Sequence, residues 1–194
     1  MNRTLHVKLL LLLVLTTSCG TLNNINRPEL LTAENLTDGK GVVLLSTGAP
    51  RRNIITAMML MLVSQNADGS FHEIRLFSVD NGYVKSDFTD RYGLLHAIAL
   101  PPGRYYLTPW LAHPAYIATY LPRFEFVIAA GEITYLGEYR LTRYTSVMTP
   151  EGPGLETGGD FEDQSARDLP LFAARNPRLD VSKVRVQLPT VAAQ

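Results

Sequence analysis

The sequence predicts a mainly β fold, an antiparallel β-sandwich with one short helix near residues 168–176. Three observations carry that prediction. Turn signals built on Gly, Pro, Asn and Asp recur at intervals of roughly ten to fifteen residues from Val42 onward, the rhythm of short strands joined by tight connections. Two segments, "EITYLGEYRL" and "KVRVQL", alternate apolar and polar residues with the period of a half-buried strand. The apolar runs "GVVLLS" and "TAMMLMLVS" are short and closed by breakers, Gly48 and Pro50 after the first and Asp68-Gly69 beyond the second.

In chain order, "GVVLLS" forms a first strand, and "TAMMLMLVS" pairs with "FHEIRLFSV" as a hairpin around Asp68-Gly69. Asn81-Gly82 turns the chain into "YVKSDF". Pro101-Pro102-Gly103 separates "LLHAIAL" from "RYYLTPW", and Ala129-Ala130-Gly131 separates "FEFVI" from "EITYLGEYRL". In that last strand Ile133, Tyr135, Tyr139 and Leu141 share one face, opposite Thr134, Glu138 and Arg140. In the final strand Val184, Val186 and Leu188 oppose Lys183, Arg185 and Gln187. The run Met58 to Val63 does not alternate, which places it at the centre of the sheet structure with both faces covered.

Residues 145–165 crowd glycines and prolines together with Glu151, Glu156, Asp160, Glu162 and Asp163, and are expected to form a long acidic loop. "RDLPLFAARNP" then reads as the helix, with Asp168 as N-cap, Pro170 in the first turn and Asn176-Pro177 at the end.

Apolar residues make up 46% of the chain and charged ones 19%, a globular balance, and 194 residues suit one domain. Basic and acidic residues number 18 each, and no basic stripe marks a nucleic-acid surface. The N-terminus has a different character. Arg3, His6 and Lys8 precede an unbroken apolar run from Leu9 to Leu15, which stops at small residues and at Cys19, the single cysteine. Seven strongly apolar residues fall well short of the ~20 that cross a bilayer, so the segment reads as a secretory leader. Without residues 1–18 the chain keeps 16 basic residues against 18 acidic and carries a charge of −2.

A leader needs no cysteine at its end. "LTTSCG" resembles the lipobox of bacterial lipoproteins, whose cysteine receives a diacylglycerol on its thiol and becomes the first mature residue. Ser18 and Thr17 match the small residues of that pattern, while Thr16 stands where the family prefers Leu. The resemblance implies a signal peptide over residues 1–18, lipidation of Cys19, and a tether over residues 19–41 ahead of a domain spanning 42–194. It also implies a bacterial envelope location; Gly20 after the cysteine, rather than Asp, resembles outer-membrane lipoproteins. Two or three acyl chains give stable attachment where one, at ~0.8 kcal/mol per buried CH₂, holds only marginally.

"LPPGRYYL" at 100–107 and "FEFVIAAGEITYLGEYRL" at 124–141 resemble the repeated strand-turn-strand text of prealbumin-like sandwiches, including carboxypeptidase-regulatory modules. The resemblance implies turns at Gly103 and Gly131 and an inward Tyr105. Such modules share no chemistry, so it implies fold alone.

Candidate chemistry is sparse. His72, His96 and His113 show no metal-binding spacing and read as structural. No nucleophile elbow is present, and Asp160, Glu162 and Asp163 lack the alternation of a calcium loop. Met59 and Met61 share a face but fit core packing. No catalytic residue, metal or cofactor is therefore assigned. The densest unusual feature is aromatic: residues 109–122, between prolines, are expected to leave the ladder and carry Trp110, Tyr116 and Tyr120 toward a partner, an envelope protein or a glycan. The expected function is non-catalytic binding or envelope assembly at a membrane held through Cys19. An envelope hydrolase with a dispersed site and a carrier for sugar or apolar ligands are the alternatives; an enzyme would bring a histidine beside a carboxylate in a cleft.

Overall fold

The structure is a computed structural model that describes residues 39–49, 57–80, 84–112, 117–118, 122–150 and 152–192. The leader, Cys19 and nearly all of the expected tether lie outside the described residues, as does the Asn81-Gly82 turn. Among the described residues eleven strands and one α-helix form, and the class is mainly β as expected. They are β1 (Gly41–Ala49), β2 (Ala57–Gln65), β3 (Phe71–Ser78), β4 (Tyr92–Leu100), β5 (Gly103–Ala112) and β6 (Ile117–Ala118). After these come β7 (Phe124–Ile128), β8 (Ile133–Thr149), β9 (Gly152–Glu162), helix α1 (Ser165–Arg175), β10 (Val184–Val186) and β11 (Thr190–Val191).

Two sheets result. The first runs β4-β1-β8-β9-β6 with β10 also on β8, and the second runs β11-β7-β5-β2-β3. The expectation of purely antiparallel pairing is corrected in the first sheet, where β1 and β10 both lie parallel to β8 and β6 lies parallel to β9. Parallel neighbours need a long crossover, and between β1 and β8 the chain supplies one by building most of the second sheet. The hairpin at Asp68-Gly69 is present: Gly69 has φ +85° and Asp68 Oδ1 accepts from the Ser70 N–H. The turns at Pro101-Pro102-Gly103 and Ala129-Ala130-Gly131 instead carry the chain from one sheet to the other. Tyr105 turns inward as expected, and its hydroxyl donates to the Pro101 carbonyl at 2.7 Å.

One apolar cluster draws on both sheets, through Leu45 and Tyr139 on one side and Leu60, Leu107 and Phe126 on the other. A second, smaller cluster lies on the opposite face of the first sheet, where Val42, Leu44, Leu95, Ile133 and Tyr135 receive Phe172 of α1. Strand β1 is thus covered on both faces, and all nine of its residues are buried. The centrally buried strand is this one, not the Met-rich β2, whose Met58, Leu60 and Leu62 are buried while Met59 and Met61 are partly exposed.

Gly137 changes the faces of β8. Tyr135 pairs with Leu44 and Glu138 with Ser46, so Leu136 and Gly137 together oppose Leu45 alone. This β-bulge, with Gly137 at φ +96°, shifts the alternation by one residue. Ile133 and Tyr135 consequently face the helix, whereas Tyr139 and Leu141 face the second sheet. The single-faced assignment of these four residues is corrected on that account. The last strand is corrected too: β10 pairs for three residues only, so Val184 packs under the helix while Val186 and Leu188 are exposed.

The acidic loop expected at 145–165 is mostly ladder. β8 continues to Thr149, turns through Gly152 at φ +131°, and pairs with β9 along its length. Gly159 is a close-approach position rather than a breaker: a Cβ there would stand 2.5 Å from the Tyr139 hydroxyl. The helix begins three residues earlier than expected, after Gln164, because the Asp168 side chain is engaged in tertiary bonds and caps nothing. Pro170 lies inside the helix.

Gly137→Ala should be costly, because a Cβ there meets the Glu162 carbonyl oxygen at 2.6 Å and the positive φ disfavours any side chain. A loss of ~2–4 kcal/mol in urea unfolding is expected. Gly103→Ala, where the nearest atom lies at 3.6 Å, should stay within ~0.5 kcal/mol of wild type.

Candidate functional site

The bulge at Gly137 places Glu138 on the same face as Tyr135, under the start of α1. With regular alternation, residues 135 and 138 would point to opposite faces. Ser46 of β1 shares that face, and α1 contributes Arg167 and Asp168. Asp168 is fully buried and its carboxylate is fully engaged. Oδ2 accepts from Ser46 Oγ and Tyr135 Oη, each at 2.5 Å, and Oδ1 accepts from Arg167 Nε at 2.6 Å. Arg167 also reaches Glu138 Oε2 at 3.3 Å, where Arg91 arrives from the other side at 3.4 Å. Burial alone would lower the Arg167 pKa, but the Asp168 and Glu138 carboxylates outweigh it and the guanidinium is held more firmly protonated than usual. Burial first, and then the hydrogen bond to Asp168, push the Tyr135 hydroxyl well above its ordinary pKa.

The segment before β4 is clamped to this network. Phe88 places its ring 4.5 Å from the Arg167 guanidinium carbon and 5.9 Å from that of Arg91. Asp87 takes Arg175 Nη2 at 2.5 Å and the Leu95 N–H at 2.7 Å. Helix, loop and sheet are therefore joined by charged hydrogen bonds at both ends of α1.

Beside the network opens a pocket of about 600 Å³. Gly48 and Glu138 form its floor, and Asp90, Arg91, Arg140 and Glu162 surround them. Ala49 and Leu141 add apolar surface, Thr142 and Gln164 polar surface. Arg140 pairs with Glu162 at 3.2 Å and Arg91 with Asp90 at 3.8 Å. The second carboxylate oxygen of the fully buried Glu138, Oε1, has no hydrogen-bond partner among the described residues. It turns toward Gly48, where a methyl group would overlap it.

Trp110, expected in an irregular excursion over 109–122, instead stands in β5 opposite Met59, about one-third exposed. Pro109 does not end the ladder, because β7 pairs with β5 only as far as Leu107 and β2 alone flanks the rest among the described residues. A residue lacking an N–H is tolerated on such a flank. Tyr116 and Tyr120 lie outside the described residues, as do Cys19 and His113. His72 is exposed on β3, and neither it nor His96 lines the pocket. Among the described residues no three His, Cys, Asp or Glu side chains converge as a metal site.

Sequence reading missed the network because its members look ordinary one by one: Ser46 ends an apolar run, Asp168 resembles a cap, and Glu138 sits on a polar face. The available signal was Gly137, a glycine inside a strand otherwise rich in β formers. No family model, curated protein or solved structure matches this chain.

His96 yields a pH test. It is buried between the sheets against Phe77, with Nε2 2.8 Å from Thr47 Oγ1, and burial lowers its pKa to about 3. The unfolded chain, at ~6.5, then binds the extra proton between pH 6.5 and 3. Stability from this residue is complete above pH 6.5 and falls on acidification. Between pH 6.5 and 5 urea unfolding should lose ~2 kcal/mol through His96. His96→Leu should flatten that portion of the profile.

Proposed function

We propose that this protein is a lipid-anchored bacterial envelope component that binds a partner or ligand without transforming it. Residues 1–18 act as a lipoprotein signal peptide, Cys19 carries the lipid, and the chain from 42 onward is a prealbumin-like β-sandwich held at the membrane, on the outer membrane by the Gly20 pattern. Its partner is an envelope protein or a glycan, and Trp110, with Tyr116 and Tyr120, supplies a contact surface. The sandwich is supported by the apolar cluster shared between the two sheets.

The observation that carries binding over catalysis is the state of the hydroxyls beside the pocket. Ser46 and Tyr135 both donate to Asp168, and Ser46 is fully buried. A serine whose proton is held by a carboxylate under a helix is fixed in place rather than poised to attack, since an activated nucleophile needs an accessible oxygen and an adjacent base. His96 faces the inter-sheet core and not the pocket, so among the described residues the pocket holds no histidine-carboxylate pair of the kind expected of a hydrolase. The charged pocket also favours a polar ligand over the apolar cargo of a carrier.

Metabolic labelling with a palmitate analogue tests the anchor. The wild-type protein should be labelled and Cys19→Ala should not; equal labelling of both would remove the lipid. Trp110→Ala should weaken capture of an envelope partner while costing only ~1–3 kcal/mol of stability, since the ring is part of a ladder yet partly exposed. Unchanged capture would remove Trp110 from the contact surface.

A further inference from the structure

The end of the sandwich at which the chain arrives from Cys19 carries apolar residues on its turns. Gly39 and Lys40 lead into β1, and the Lys40 carbonyl accepts the Gly131 N–H at 2.9 Å, so the entry lies beside the Ala129-Ala130-Gly131 crossing. The register brings the other crossing to the same end: Gly41 stands opposite Leu100, and Gly103 opposite Ile128. Surface connections are ordinarily polar. The hairpin turn at this end follows that rule, with Ser70 bonded to both Asn66 and Asp68. The two crossings do not: Pro101, Pro102, Ala129 and Ala130 are all exposed. Val127, 47% exposed, and Phe71, 37% exposed, continue that surface onto the outer face of the second sheet. Charge at this end is answered locally. Arg104 pairs with Glu125 at 3.3 Å, Lys183 with Asp180 at 3.3 Å and Arg185 with Glu132 at 3.5 Å. The Arg123 guanidinium carbon lies 4.3 Å from the centre of the Phe71 ring.

We infer that this end of the sandwich docks on the lipid bilayer, with the Pro101-Pro102 and Ala129-Ala130 tips among the headgroups and Phe71 and Val127 at the same level. The covalent path selects that occupant. Gly39 lies 20 residues beyond Cys19, a reach of at most ~70 Å, so a lipid on Cys19 makes the bilayer an intramolecular partner and a weak apolar contact is enough to set orientation. The end that receives the tether is also the end it holds nearest the membrane. Local pairing of the charges favours a contact driven by apolar surface, which needs no acidic lipid and is not screened by salt. A cation such as Arg123 is compatible with lipid phosphate at that depth. Docked in this way, the domain turns Trp110 and the pocket outward. Trp110 and Gly48 lie seven residues further along β5 and β1 than Gly103 and Gly41, ~23 Å from the bilayer-facing end.

The inference rests on the anchor at Cys19, goes beyond the binding reading and leaves the Trp110 surface to its partner. The test uses the full-length acylated protein in phosphatidylcholine vesicles. Acylation consumes the single natural thiol, so Ala130→Cys and Met148→Cys each offer one site for an environment-sensitive fluorophore. Met148 is the distant control, 82% exposed and up to ~50 Å from Ile133 along β8. Lipids with a nitroxide on the headgroup should quench the label at residue 130 roughly fivefold more than the label at residue 148, in molar salt as in dilute buffer. Pro102→Glu, a charge on the neighbouring exposed tip, should lower quenching at residue 130 at least about twofold and leave flotation with the vesicles unchanged.

Equal quenching at both positions, none at residue 130, or undiminished quenching in Pro102→Glu would overturn the docked orientation while leaving the anchor intact. Quenching that requires acidic lipid and disappears in molar salt would overturn the apolar contact. Energy transfer between labels at residue 130 that rises with protein density, without quenching by the lipid, would assign this end to a second copy of the chain and overturn the bilayer. Protein that does not float with the vesicles at all would remove the anchor and the inference with it.

Discussion

A carboxylate placed between a helix and a sheet has to be answered where it lies, or the helix cannot dock. Asp168 meets that condition with three donors from three elements: Ser46 on β1, Tyr135 on β8 and Arg167 on α1 itself. Leaving such a group short of a donor costs ~1–3 kcal/mol, and more when it is charged. The apolar part of the contact, Phe172 on Val42, Leu44 and Ile133, sets how closely α1 approaches. The carboxylate sets its register, because the helix must bring Asp168 to both hydroxyls while Arg167 reaches Glu138.

That register positions the pocket. Arg167 holds Glu138 Oε2, which leaves Oε1 directed toward Gly48. The β-bulge at Gly137 is the backbone device behind it, since it moves Glu138 onto the helix-facing side of β8 and returns Tyr139 to the core between the sheets. One glycine thereby serves both the core and the pocket.

Local signals made parts of this fold legible in the sequence. The Asp68-Gly69 hairpin and the turn at Gly131 follow from residues adjacent in the chain, where backbone preference decides the outcome. What misled were residues whose role depends on distant partners. The glycines at 154, 158 and 159 read as a loop, yet Gly159 lies beside the ring of Tyr139 and the segment pairs throughout. Asp168 read as a cap because Asp is a good cap, and its true partners lie 33 and 122 residues away in sequence. Pro109 read as a strand end because nothing in the sequence says where β7 stops pairing. Of the pocket, Glu138 and Glu162 were visible as polar residues, but their convergence depends on the bulge and on β1 lying parallel to β8.

The Asp168–Arg167–Glu138 chain of charge-assisted hydrogen bonds registers α1 on the sheet. A double-mutant cycle across the helix–sheet contact, between Arg167→Met on α1 and Glu138→Gln on β8, measured by urea unfolding at pH 7, tests that most directly. Coupling of ~1.5–3 kcal/mol between the two is predicted, as for a buried pair whose separation leaves each charge uncompensated. Additive effects, with coupling below ~0.5 kcal/mol, would show that apolar packing of Phe172 holds the helix alone and would contradict the account.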